Sequence, residues 1–168
     1  SRMNIGIYAG TLPPPVFIEH LANGLVSKER TIIIYGNDNP VRRYNQSINA
    51  DIIQRKFPNS KYGILIYFIY NLLRLIIKRP FSYQNIIKIV KENSKSWRNF
   101  FYRCSRVLPP FTDNLDILHL QWAKTLVYYP EFIEQLNCSI ILSLRGTHIN
   151  VSPQVDKTLA SLYRKYFP

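Results

Sequence analysis

Apolar residues run along this chain in two rhythms, and the alternation between them predicts the fold. Met3 to Tyr8, MNIGIY, reads as a first buried strand, and AGTLPPP follows as a loop rich in turn formers. From Val16 to Ser27 the period becomes helical, with Phe17, Leu21 and Leu25 recurring every four residues as one buried face. Thr31 to Tyr35, TIIIY, is β-branched and bounded by turn signals, the pattern of a second, fully buried strand. Strand, helix and strand in that order make a βαβ unit, which favours a parallel sheet with a right-handed crossover. GNDNP is loop, and Asp51 to Ile53 reads as the start of a short third strand.

The next stretch has a different texture. Tyr62 to Ile77, YGILIYFIYNLLRLII, is almost continuously apolar over sixteen residues. Tyr67, Asn71, Arg74 and Lys78 fall at i, i+4, i+7 and i+11, a narrow polar stripe on a greasy helix. A membrane span needs ~20 apolar residues, and Arg74 would sit inside this one, so a transmembrane reading is rejected. Ser82 is placed to cap a further helix through YQNIIKIVKEN and on to Arg106, and Pro109-Pro110 closes that region.

Ile117 to Leu120 returns to strand character, and Glu131 to Leu136 reads as a short helix after Pro130. Cys138 to Leu144, CSIILSL, is the clearest strand and reads as buried. LRGTH follows, and then Ser152 as N-cap with Pro153 at the first helical position. Val155, Leu159, Leu162 and Tyr166 form the expected inner face of that last helix. Strands alternating with helices predict an α/β fold, a Rossmann-like doubly wound and mostly parallel sheet.

Length and composition narrow this picture without changing it. The 168 residues fit one domain, and a hydrophobic fraction of 46% excludes wholesale disorder. Ser1 and Arg2 precede the only methionine and read as a cloning remnant, so residues 3–168 form the expected domain. No basic n-region or signal-peptide core follows Met3, and Cys104 and Cys138 do not amount to a disulfide framework. A cytoplasmic setting is the expectation.

Charge adds more. Fourteen Lys or Arg residues lie between Val41 and Arg106 against two acids, Asp51 and Glu92, while the flanks balance. The excess of +12 therefore belongs to the middle of the chain, residues 41–106, which includes a basic helical insert at about 61–106, and it points to an anionic partner.

In an open parallel sheet, ligands bind at the carboxyl ends of the strands. Three loops occupy that place and carry unusual residues. The first is Ala9-Gly10-Thr11 with Pro13 to Pro15; its glycine would let a ligand approach the backbone, although a stiff β-to-α turn explains it as well. His119, Gln121 and Trp122 mark the second. A strand histidine is more often a core residue than a catalyst, and the tryptophan either stacks on a sugar ring or packs. The third holds Arg145, Gly146, Thr147 and His148. A permanent cation with five donors suits phosphate or a hydroxyl-rich ligand, with an ion pair as the competing explanation.

These stretches, in this order, resemble the N-terminal half of a GT-B glycosyltransferase of family 4, the retaining, nucleotide-sugar-dependent group. MNIGIYAGTLPPPVFIEHLANGL is similar to the family's first strand, glycine-proline loop and helix, and TIIIYGN to its second strand. LDILHLQWA resembles D-I-(I/V)-H-x-H-W, and ILSLRGTHINVSP resembles the strand and loop L-H-G-T-D. Together they cover about half the chain. The resemblance implies an acceptor-binding domain facing a donor-binding domain across a cleft. Gly10, Thr11, Gly146, Thr147 and His148 would then lie near the donor, and Pro14, His20, His119, Gln121 and Trp122 on the acceptor side.

Arg145 stands where the family usually has histidine, and His148 where it has aspartate. Arginine stays protonated and cannot be a general base, so Arg145 would act electrostatically, stabilising a departing diphosphate or the neighbour of a developing oxocarbenium. Nothing in the chain matches the donor half and its paired glutamates, so the resemblance implies a fragment that does not transfer sugar alone. It also implies a nucleotide sugar as co-substrate and a saccharide, polysaccharide or lipid-linked saccharide as acceptor. Placement in bacterial cell-envelope biosynthesis follows from the same likeness. His20, His119 and His148 lack ligand-like spacing, so neither a metal nor a cofactor is expected here.

Members of the family that act on membrane acceptors resemble this chain in their basic, apolar helices, which suggests Arg74, Lys78 and Arg79 as contacts to an anionic inner membrane face. Alternatively, that helix only covers the sheet. The rival from another class is a nucleic-acid-binding module, with Trp97, Phe100, Phe101 and Tyr102 stacking on bases among Arg98 and Arg103.

Overall fold

The computed structural model describes residues 2–44, 48–144, 154 and 156–166. Five strands form one all-parallel sheet, with β1 (Met3–Leu12), β2 (Arg30–Asp38), β3 (Ile53–Phe57), β4 (Ile117–Leu120) and β5 (Ser139–Leu142) in the order β3-β2-β1-β4-β5. The chain builds outward from β1 on one side, then crosses back to add β4 and β5 on the other. The α/β, Rossmann-like doubly wound expectation is met.

Alternation along the strands separates two cores. Ile5, Ile7, Ala9, Ile32 and Ile34 face α1 (Val16–Leu25), where Ile18 and Ala22 are fully buried. Tyr8, Ile33, Tyr35, Leu118 and Leu120 face the larger helical layer. That layer comprises α2 (Lys61–Lys78), α3 (Tyr83–Glu92), α4 (Trp97–Thr112), α5 (Ala123–Tyr128) and α6 (Glu131–Gln135), and α7 (Lys157–Tyr166) lies against α5.

Several sequence expectations are corrected. The α1 face turns by one residue: Ile18 and Ala22 are its buried line, Leu21 and Leu25 are half-buried, and Phe17 leaves that face to meet the Trp122 ring at 6.1 Å. Strand β1 does not stop at Tyr8. It bulges between Tyr8 and Gly10 and runs to Leu12, so Gly10 and Thr11 belong to a strand paired with Gly36 and Asn37. The close approach requires glycine at position 36, where a Cβ would lie 2.6–2.8 Å from the Thr11 backbone.

The expected helix from Ser82 to Arg106 is two helices, because Ser96 starts a new one. Its hydroxyl accepts the Asn99 N–H at 3.2 Å, while the Asn99 side chain accepts the Lys95 N–H at 3.2 Å. Nor do the prolines end it; α4 continues through Pro109 and Pro110 to Thr112. Proline 110 has no N–H for the Arg106 carbonyl four residues back, and the Tyr8 hydroxyl donates to that carbonyl instead, at 3.2 Å.

Strand β5, expected to be buried, is an edge strand. Ile140 and Leu142 pack on the larger core, whereas Ile141 is 47% exposed. Helix α5 had no counterpart in the sequence reading. Of the last helix, Leu159 is buried and Leu162 half-buried; Ser152, Pro153, Val155 and the Tyr166 side chain lie outside the described residues.

The largest reversal concerns α2. Its polar stripe faces inward: Asn71 is fully buried, Tyr67 packs on the core, and Arg74 reaches Asp113 at 2.9 Å. The greasy side faces outward, with Tyr62, Ile66, Leu73 and Ile77 all more than half exposed. No helix among the described residues is long and apolar enough to cross a membrane.

Candidate functional site

The bulge in β1 and the end of β4 create a cavity of about 260 Å³ at the carboxyl ends of the strands. Tyr8 and Gly10 of β1, Asn37 of β2 and Phe57 of β3 contribute to it, as do Trp122, Lys124, Thr125, Tyr128 and Tyr129 beyond β4 and Arg106 of α4. Gly10 has φ 85°, the left-handed region that glycine adopts without strain. Its carbonyl accepts the Asn37 side-chain N–H at 3.2 Å. Trp122 donates its indole N–H to the Ala9 carbonyl at 2.9 Å, so the ring is pinned to the bulge rather than loosely packed.

The floor is aromatic. Tyr8 touches Tyr35, Phe57, Tyr129 and Phe132 at 5.5–6.2 Å between ring centroids. Burial raises the Tyr8 phenol well above its ordinary pKa, and burial with the nearby Tyr102 pushes Tyr129 up to about 12. Both stay neutral near pH 7, as does the floor they make. Among the described residues, the charged groups lining the cavity are Lys124 and Arg106, and no carboxylate lines it. The lining combines donors suited to hydroxyl or anionic groups with an aromatic wall.

Of the site residues expected from sequence, Gly10 and Trp122 come together here. Thr11 is half-buried on β1, and Pro14 is buried. His20 is exposed on α1. Gln121 is fully buried, and its backbone N–H bonds the Tyr8 carbonyl at 3.3 Å. His119 shares a 2.8 Å hydrogen bond with the Ser143 hydroxyl, between β4 and the residue after β5. Alternation puts His119 with Ile117, on the side of the sheet away from Tyr8. Arg145, Gly146, Thr147 and His148 lie outside the described residues.

The proposed membrane contacts divide. Lys78 is exposed, but Arg74 is held on Asp113, and Arg79 donates Nε to the Phe111 carbonyl at 2.9 Å. Both arginines are thus engaged within the fold, Arg74 because the stripe that carries it is the inner one. Phe100 is buried and Phe101 half-buried in rings shared with Phe68 and Trp97, so two of the four aromatics suggested for base stacking are used in packing.

Sequence reasoning missed Arg106, Asn37 and Lys124. Arg106 was counted among surface charges, yet it is 1% exposed. The helical pattern gave no signal for it: Phe100, Cys104, Val107, Leu108 and Phe111 mark one apolar face, and Arg106 lies on another side of the helix. No protein-family model matches this chain, and no curated protein matches it.

Proposed function

We propose that this chain is the acceptor-binding domain of a retaining glycosyltransferase that uses a nucleotide sugar and works with a donor-binding domain. One observation carries the reading most: a carboxylate-free cavity at the strand ends of a β3-β2-β1-β4-β5 parallel sheet, walled by a pinned tryptophan. It lies beside β1 and β4, where successive crossovers leave in opposite directions and where ligands of open parallel sheets sit. Trp122 offers a flat apolar face to a sugar ring, and Lys124 and Asn37 offer polar groups to its hydroxyls. Gly10, at the bulge, leaves room for the donor's phosphates. Arg145 keeps its assigned part, stabilising the departing diphosphate, with no metal and no cofactor in this domain.

The test has two arms. Maltose and other neutral saccharides titrated into this chain should change the emission of Trp122, with Trp122→Phe as the control that removes it. The complete gene product, given radiolabelled nucleotide sugars and membrane extract, should transfer label, and Arg145→Ala should lower the rate ~100-fold or more if it stabilises the leaving group. Absence of both responses would sink the reading.

The outward face of α2 supports a peripheral position on an anionic bilayer. It presents Ile66, Leu73 and Ile77, with Phe81 98% exposed just beyond the helix and Lys61 and Lys78 at its ends. The combination of apolar area and basic flanks is what interfacial attachment uses.

A further inference from the structure

Arg106 is a buried cation without a counter-ion. Its guanidinium donates to three neutral acceptors: the Ser105 hydroxyl at 2.5 Å, the Asn37 side-chain oxygen at 2.8 Å and the Pro58 carbonyl at 2.9 Å. Its Nε has no partner among the described residues, and no carboxylate pairs with it there. Arg55, Arg74 and Arg103 differ. Arg55 and Arg74 share Asp113, and Arg103 meets Glu131 at 2.6 Å. A guanidinium does not lose its proton, so the charge in this layer is costly until an anion arrives. The Tyr102 ring, 4.0 Å from the guanidinium carbon, and the Phe57 ring at 5.6 Å hold its faces without neutralising it.

Two cavities meet at this side chain. One is the strand-end cavity under Trp122. The other is a groove of about 490 Å³ between α2 and α4, lined by Ile64, Leu65 and Phe101 with Lys61 and Arg98 at its rim. Among the described residues no carboxylate lines either one. Leu65, 43% exposed, connects the groove to the outward apolar face of α2.

We propose that Arg106 binds the phosphate of a long-chain phosphate ester, with the hydrocarbon tail in the α2–α4 groove and the head under Trp122. Cations on both sides suit a phosphate, whose several oxygens can be shared between them. The apolar walls suit a tail and offer nothing to a free anion. This deepens the acceptor reading, and rests on it for the saccharide end alone; the acceptor becomes a lipid phosphate rather than a free polysaccharide.

Calorimetry on this chain decides it with three probes: dodecyl phosphate below its micelle concentration, a neutral twelve-carbon ethylene glycol ether, and inorganic phosphate. Dodecyl phosphate should bind about tenfold or more tighter than either of the others. Arg106→Gln should reduce it to the affinity of the neutral ether, whose own binding stays unchanged. Leu65→Asp should reduce it to the affinity of inorganic phosphate. Should Arg106→Gln fail to fold, Arg98→Glu on the rim gives the charge test, weakening dodecyl phosphate several-fold and sparing the ether. Equal binding of ester and ether by the wild type overturns the anion site, as does a folded Arg106→Gln that keeps the preference. Inorganic phosphate binding as tightly as the ester overturns the tail and assigns a free phosphate. Saccharide response at Trp122 is read separately: a bound ester with no saccharide response leaves this inference standing and removes the acceptor reading.

Discussion

Asp113, with a side chain 2% exposed, receives Arg55 through Nε and NH2 at 3.1 and 2.9 Å, Arg74 at 2.9 Å, and the Tyr35 hydroxyl at 2.9 Å. Burial opposes its ionisation, but the hydrogen bonds from Arg55, Arg74 and Tyr35 outweigh it and hold the carboxyl below the usual carboxylate range. A lowered folded-state pKa contributes stability that is complete above the ordinary aspartate value of ~3.9 and disappears as pH falls through the folded value. Asp113→Asn should therefore lose about 3 kcal/mol in urea melts at pH 7, and its deficit relative to wild type should shrink below pH ~4. Cys104 gives a second residue-scale outcome. Burial pushes its thiol far up, so iodoacetamide at pH 8 should label it only after denaturant is added.

At the scale of elements, α4 and α2 each break a local rule for a reason lying elsewhere in the chain. Helix α4 accommodates Pro110 because Tyr8 supplies a donor for the Arg106 carbonyl. Tyr8→Phe should cost about 1 kcal/mol by denaturant unfolding. In a Pro110→Ala background, where the new amide can serve that carbonyl, the same change should cost less. Helix α2 presents its apolar side outward, so Ile66→Glu with Ile77→Glu should lower sedimentation with anionic vesicles about tenfold or more, while thermal stability stays nearly unchanged. Most strands and helices were legible because each has its own period, although short α5 and the break at Ser96 were not. Which side of α2 turns inward was not, since the stripe of Tyr67, Asn71 and Arg74 is polar whichever way it faces. What orients it is Asp113, a partner 39 residues from Arg74.

The same distance effect governs the whole molecule. As sequence, residues 41–106 are a basic block; in space, Asp38, Asp113 and Glu131 enter from outside it and pair with Lys56, Arg55, Arg74 and Arg103. Part of the apparent electrostatic attraction is thereby spent within the fold. Gly10 and Trp122 of the candidate site were readable as a glycine and a tryptophan near strand ends, even though β1 runs past Gly10 to Leu12. Arg106 was not, because its partners Asn37 and Pro58 are 69 and 48 residues away.

The strand order has a last consequence, for the time the chain takes to fold. β1 lies beside β2, and the Asn37–Gly10 bond between them spans 27 residues. On its other side β1 pairs with β4, and the Asp116 carboxylate that accepts the Asn4 N–H lies 112 residues along the chain. Closing the second loop loses more chain entropy before any contact is gained, and the intervening helices must settle first. In pulse-labelled refolding, amides shared by β1 and β2 should gain protection ahead of those of β4 and β5. The strand-end cavity, which needs both halves, should be the last part of the sheet to form.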